Sequence, residues 1–197
     1  MPERRKRVKH YHEPGDVHEL TFSCYQRLPL LDNDVWKGYL AESLETACRA
    51  CKFGLIAFVF MPEHVHLLTL PQETKPKIGA FLAAVKRPCS VRVKQDLVTT
   101  RNPLIERLTV QERPGKTAFR FWLEGSGYDR NLQNEDTVLA SLDYIHNNPV
   151  QRGLCQRPAD WFWSSTRFYT SDPPRQDPRL PAITRLPAEF FTRIYVR

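Results

Sequence analysis

The sequence predicts an α+β fold on the ferredoxin-like, split βαβ plan: an antiparallel sheet with helices on one face and one further helix following the fourth strand. Three observations carry this prediction. Segments of strand length and segments of helical period succeed one another in the order β-α-β-β-α-β, which is the order of that plan. The chain has 197 residues, 41% of them hydrophobic, enough for one sizeable core. It shows no internal repeat that would point to a stacked architecture.

Taken in order, Val17 to Cys24 reads as the first strand and Asp34 to Ala50 as the first helix. Phe53 to Met61 reads as the second strand, and His64 to Leu70 as the third, joined to it by Pro62-Glu63. Lys77 to about Gln95 has helical character, with Pro88 expected to kink or split it because proline lacks a backbone donor and clashes with the preceding turn. Residues 97 to 117 are polar and have no clear period, which reads either as a loop able to hold nucleic acid or as a surface excursion. Ala118 to Leu123 reads as the fourth strand. The last helix starts at Asn134, a good N-cap, with Glu135 and Asp136 suited to the positive end of the helix dipole. Val138, Leu142 and Ile145 give it an apolar stripe, and Pro149 disfavours its continuation. In this plan the first and third strands are central, so His64 and His66 fall in the middle of the sheet.

The organisation is one domain over residues 15–170, with a basic arm at 1–14 and a Pro/Arg-rich tail at 171–197. The formal net charge of +7 favours a polyanionic partner, nucleic acid first among them. Arg4, Arg5, Lys6 and Arg7 crowd the N-terminus, where they read as a phosphate-tracking arm or a solubilising one. Five cysteines, an odd number without a framework spacing, point to a reducing compartment, and Cys48-x-x-Cys51 has no second pair to complete a zinc site. No apolar run reaches the roughly 18 residues a membrane span needs, and the start lacks a signal-peptide core. The expected place is the cytoplasm, with association to the nucleoid when bound to DNA.

Two constellations carry chemistry. His64 and His66 sit at i, i+2 in a strand, so they share one face with Cα atoms about 6.5–7 Å apart, and two imidazoles so placed can grip one divalent ion. Val65 between them turns toward a core that would hold the pair rigid. On the last helix Tyr144 and Asn148 lie four residues apart, therefore side by side and away from the apolar stripe. Tyr144 is thus more than core filling: a nucleophile and a ligand would travel on one helix face. His146 falls near the apolar stripe and reads as a hydrogen-bonded core histidine, while His10, His12 and His18 read as structural.

Met61-Pro62-Glu63-His64-Val65-His66-Leu67-Leu68, Phe121-Trp122-Leu123-Glu124 leading into Tyr128-Asp129-Arg130-Asn131, Tyr144-Ile145-His146-Asn147-Asn148-Pro149-Val150-Gln151-Arg152-Gly153-Leu154, and Trp161-Phe162-Trp163-Ser164-Ser165 occur in that order over roughly residues 15 to 170. This set resembles the Y1 tyrosine transposases of the His-hydrophobic-His group of single-strand DNA nucleases, most closely the REP-associated branch. The insertion-sequence branch usually carries Gln four residues after its tyrosine, whereas Asn148 is what the REP-associated branch tends to carry.

The resemblance implies a metal-dependent single-stranded DNA endonuclease and strand transferase. Its substrate would be a REP-type hairpin with a tetranucleotide beside the foot. Tyr144 would be the nucleophile that forms a covalent 5′-phosphotyrosine; His64, His66 and Asn148 would hold Mg²⁺ or Mn²⁺. It leaves the oligomeric state open between a monomer and a homodimer. Lys86, Arg87, Arg120, Trp122 and Arg130, with the N-terminal arginines and lysine, are the candidate DNA contacts, by charge or by stacking. Two other readings stand beside it: a domesticated hairpin-binding protein that no longer cuts, and a metal-dependent hydrolase that activates water with the two histidines.

Overall fold

In a computed structural model of the protein, residues 16–125 and 127–185 are described, and four strands form one antiparallel sheet in the order β2-β3-β1-β6. These are β1 (Val17–Ser23), β2 (Phe53–Phe60), β3 (His64–Pro71) and β6 (Tyr128–Leu132). Helices α1 (Asp34–Cys51) and α2 (Ile78–Thr99) connect the first two strands and follow the third. A short helix α3 (Leu104–Leu108) and a separate hairpin of β4 (Thr109–Arg113) and β5 (Lys116–Phe119) come next. After β6 run α4 (Glu135–Gln151) and the short α5 (Thr166–Thr170). The first and third strands are central, as expected, because each side of both finds a partner.

Alternation along the strands divides the core in two. Leu20, Phe22, Val65, Leu67, Phe58 and Phe60 point to the side covered by α1 and α2, where Leu40, Leu44, Phe81 and Val85 meet them. Val17, Val59, Leu68 and Leu132 point to the other side and pack against Val138, Leu142 and Ile145 of α4. The expectation of helices on one face is corrected accordingly: α1 and α2 share a face, and α4 covers the opposite one.

Four further expectations are corrected. The fourth strand of the sheet is Tyr128–Leu132, not Ala118 to Leu123. Phe121 and Trp122 are apolar because they are buried in the core where the chain crosses the end of β1, through a lone Cys24–Trp122 bridge and the 2.9 Å bond from Leu123 N to Ser23 O. Residues 97–117 are no plain loop but hold the end of α2, α3, β4 and the start of β5. Helix α2 runs unbroken through Pro88, which sits on the exposed side while Val85, Cys89 and Val93 stay buried. Pro149 is likewise inside α4, which ends only at Gln151.

The chain after α4 seals the outer edge of β2. Phe60 N donates to Trp163 O (2.9 Å), Ser165 N to Phe58 O (3.0 Å) and Thr184 N to Leu55 O (2.7 Å). Covering an edge in this way removes a template for unwanted strand pairing. Leu180 and Ile183, within the stretch read as a tail, pack against the core.

Candidate active site

Helix α4 carries two stripes. Asn134 caps it, its side chain accepting from Thr137 N at 2.9 Å, and Glu135 and Asp136 occupy the first turn. The apolar stripe, Val138, Leu142 and Ile145, fixes the helix to the sheet. A neighbouring stripe, Thr137, Ser141, Tyr144 and Asn148, recurs at helical spacing and lies over polar residues of the same sheet face. The cross-strand register sets out those residues: His66 pairs with Thr21, which pairs with Tyr128; His64 pairs with Ser23; Glu19 pairs with Arg130.

His64 and His66 converge as expected. Their Nε2 atoms lie 2.9 Å apart with the rings edge to face. The Tyr144 ring packs edge-on to His66 at a centroid distance of 5.4 Å and remains 43% exposed. Asn148 is buried, its Nδ2 3.5 Å from His66 Nε2, and its Oδ1 has no hydrogen-bond partner. All four side chains meet within one chain, around a cavity of about 310 Å³ that Arg27, Gln151 and Arg152 also line.

This donor set fits a divalent ion. Two nitrogen ligands at right angles with bonds of about 2.1 Å would stand roughly 3 Å apart, close to the observed separation. Thr21 Oγ1 contacts His66 Nδ1 at 2.8 Å, and Glu63 Oε1 lies 3.1 Å from His64 Nδ1, a carboxylate that favours the proton on that nitrogen. Both contacts leave Nε2 for the ion, the arrangement that outer partners give to ligating histidines. Asn148 would complete such a set with its side-chain oxygen once the amide is turned, which exchanges the partnerless oxygen with the nitrogen now facing His66. Among the described residues no three His, Cys, Asp or Glu side chains cluster as ligands, so an ion held by the two histidines would take its remaining ligands from Asn148, water or substrate oxygen.

Burial, with the neighbouring His64, pushes His66 down to about 3. Burial lowers His64 as well, against the opposing pull of Glu63. Both rings are therefore neutral near pH 7, the form that binds metal. Burial works against ionisation of Glu63, but His64 and Arg152 together hold its carboxyl below the usual range. Arg152, just beyond α4, reaches Glu63 at 2.8 Å and so ties the tyrosine helix to the histidine strand.

The other sequence-derived candidates scatter. Arg4, Arg5, Lys6 and Arg7 lie outside the described residues. Arg130 is exposed and shares a cavity with Tyr144. Lys86, Arg87, Arg120 and Trp122 gather around a different cavity, beside α2 on the far side of the sheet. Trp122 is corrected from a stacking platform to a core residue. It is 7% exposed, packs edge-on to Phe22 and donates Nε1–H to Lys86 O at 3.0 Å. Arg120 is held by Glu112 and Glu124, and the Lys86 amine sits over the Phe22 ring and donates to Gly125 O. Arg87 is exposed. His146 is the core histidine expected, its Nε2 2.8 Å from Ser165 Oγ. His18 pairs with Asp129 at 2.9 Å. Glu19, Thr21, Arg27, Glu63 and Arg152 were not anticipated as site residues. The available signal was the polar alternation Glu19, Thr21, Ser23 in a strand whose other face is Leu20 and Phe22.

Among the described residues no helix is long and apolar enough to cross a membrane. No protein-family model matches the chain. A Haemophilus influenzae protein named "Putative REP-associated tyrosine transposase" is 27% identical over 139 residues, which span 67% of this chain and 73% of that protein. The solved structure of a REP-associated tyrosine transposase bound to a REP hairpin superposes with a TM-score of 0.65, covering 93% of this chain and 96% of its own, at 18% identity. At that identity the likeness speaks for the fold.

Proposed function

Because this chain is a homologue of the REP-associated tyrosine transposases of the Y1 family, we propose that it is a single-stranded DNA endonuclease and strand transferase acting beside REP-type hairpins. The observation that carries the proposal is the meeting, in one chain, of a half-exposed tyrosine with two converging imidazoles and an orphaned amide oxygen. The related protein solved with a REP hairpin supports the hairpin as substrate class.

His64, His66 and Asn148 would hold Mg²⁺ or Mn²⁺, which when bound withdraws charge from the scissile phosphate and orients it. Tyr144 attacks phosphorus through its phenolic oxygen. The bond to the 3′-oxygen breaks, giving a 5′-phosphotyrosine, and the phenolic proton is passed through solvent to the departing 3′-oxygen, which leaves as a free hydroxyl. Keeping the phosphoryl bond on the enzyme lets another 3′-hydroxyl reclaim the strand, so transfer is favoured over hydrolysis. Arg130, exposed at a cavity it shares with Tyr144, is a phosphate contact on the same face, and the exposed Arg87 is one on the far side of the sheet. The complete constellation in one chain supports action as a monomer.

The test is incubation of a labelled hairpin oligonucleotide with the protein and Mn²⁺, resolved on a denaturing gel. A DNA–protein adduct that Tyr144→Phe abolishes is the expected result. Cleavage surviving Tyr144→Phe would instead establish the water-activating hydrolase, and retention of the hairpin without cleavage the domesticated binder.

A further inference from the structure

The loop that leaves β1 is strained where it borders the reaction cavity. Gln26 and Arg27 both stand at φ +52, a left-handed value that residues with a side chain rarely adopt. Such backbone persists only where surrounding bonds over-determine it. Here Tyr25 N donates to Phe121 O at 2.8 Å, Arg27 N to Cys24 O at 3.0 Å and Leu28 N to Tyr25 O at 3.0 Å. On either side of the turn, Cys24 N donates to Glu63 O and Leu31 N to Pro62 O, both at 2.8 Å. The loop is thus fastened to the residues that lead into His64. The strained turn brings Arg27 to the cavity that His64, His66, Tyr144 and Asn148 line. Arg152 also lines it, but its guanidinium is paired with Glu63 at 2.8 Å. Arg27 is exposed and, among the described residues, has no ion pair, so its charge is free to meet an anion that enters.

Resting on the reading that Tyr144 attacks a phosphodiester in this cavity, we infer that Arg27 is a further catalytic residue, its guanidinium contacting the non-bridging oxygens of the scissile phosphate. A phosphodiester carries one negative charge. As the phenolic proton leaves, the attacking oxygen adds a second, which spreads over the non-bridging oxygens and the departing 3′-oxygen while phosphorus is five-coordinate. The parallel N–H groups of a guanidinium match two such oxygens, a geometry that a lysine ammonium does not reproduce. The contact strengthens as the charge builds, so it accelerates the step more than it tightens binding of the intact strand. A base fixed by backbone bonds and the lack of an acidic neighbour both suit this role, since neither orientation nor charge has to be recovered when DNA arrives.

The test compares the full chain with its Arg27→Gly and Arg27→Lys variants in single-turnover adduct formation on a labelled hairpin oligonucleotide, at saturating protein with Mn²⁺. Glycine is the informative replacement, because it takes the positive φ without strain and so removes the guanidinium while keeping the turn. Arg27→Gly should slow adduct formation about 10²–10³-fold, the range for removing one preorganised donor, with the hairpin dissociation constant changed less than about tenfold. Arg27→Lys should recover only part of the rate. A second oligonucleotide carries a methylphosphonate at the scissile position, where a methyl group replaces one charged oxygen. With no charge there to stabilise, the Arg27→Gly protein should form adduct faster on it than on the ordinary diester. An unchanged rate on the diester, a loss confined to the dissociation constant, or a methylphosphonate that the Arg27→Gly protein cuts no faster than the diester overturns the inference. Failure of the proposed function reads out separately, as a wild-type chain that forms no adduct with the diester.

Discussion

At the scale of single residues, the site sets a half-exposed tyrosine beside buried histidines whose protonation is decided first by burial and then by their neighbours. Asn148 is the least conventional of the proposed ligands, and its buried, partnerless oxygen is the reason to propose it. Asn148→Ala should weaken Mn²⁺ binding about tenfold or more, followed by electron paramagnetic resonance of the free ion, while an unchanged affinity would remove it from the ligand set. Two residues before it, His146 shows the price of burial without an ion. Its ring is pushed down to about 3 by desolvation, against an ordinary value near 6.5. Below pH 6.5 the unfolded chain takes up a proton that the folded chain refuses, so stability falls as the pH drops from 6.5 toward 3. His146→Gln, which keeps a partner for Ser165, should cut the stability lost between pH 8 and pH 5 by about 2 kcal/mol. Urea unfolding at the two pH values checks this; an equal loss in both proteins would mean that His146 titrates normally.

At the scale of elements, the least obvious strand depends on one glycine. Gly127 opens β6 at φ +76, and a Cβ there would fall 2.0 Å from Thr21 O. Gly127→Ala therefore pushes β6 off β1, on the side that carries Tyr128 and Arg130. A loss of about 1–3 kcal/mol from overpacking is expected, read by chemical denaturation. The β1, β2 and β3 strands were legible because their alternation or apolar runs reflect burial, and α4 because its cap and stripe are both explicit. β6 was not, since in Tyr128-Asp129-Arg130-Asn131-Leu132 only Leu132 is buried and an edge strand need not look apolar. Phe121 and Trp122 misled for the converse reason: their apolar character comes from core packing at the end of β1, without a ladder. The His64, His66, Tyr144 and Asn148 set was legible because strand and helix periods place each pair on one face. Glu19, Glu63 and Arg152 joined it only through the cross-strand register and the helix end, which local pattern does not encode.

At the scale of the molecule, the sheet works as a partition, with the larger aromatic core under α1 and α2 on one side and the polar reaction face under α4 on the other. That face stays in register only if α4 and the outer edge of β2 are held together. The segment after α4 does this: Trp161 Nε1 donates to Phe60 O, Tyr169 OH to Ile56 O, and Ser165 joins β2 to His146. Leu180 and Ile183 continue the seal, with Thr184 N on Leu55 O at the far end of the strand. If this stretch belongs to the domain, the double change Leu180→Ala and Ile183→Ala should cost on the order of 2 kcal/mol, since each side chain is only partly buried. A calorimetric scan would show the unfolding temperature falling by several degrees, with the Mn²⁺ affinity of the folded protein retained, because neither residue approaches the histidines. An unfolding temperature identical to that of the parent chain would return residues 171–185 to the status of a free tail and leave the β2 edge closed by Trp163 and Ser165 alone.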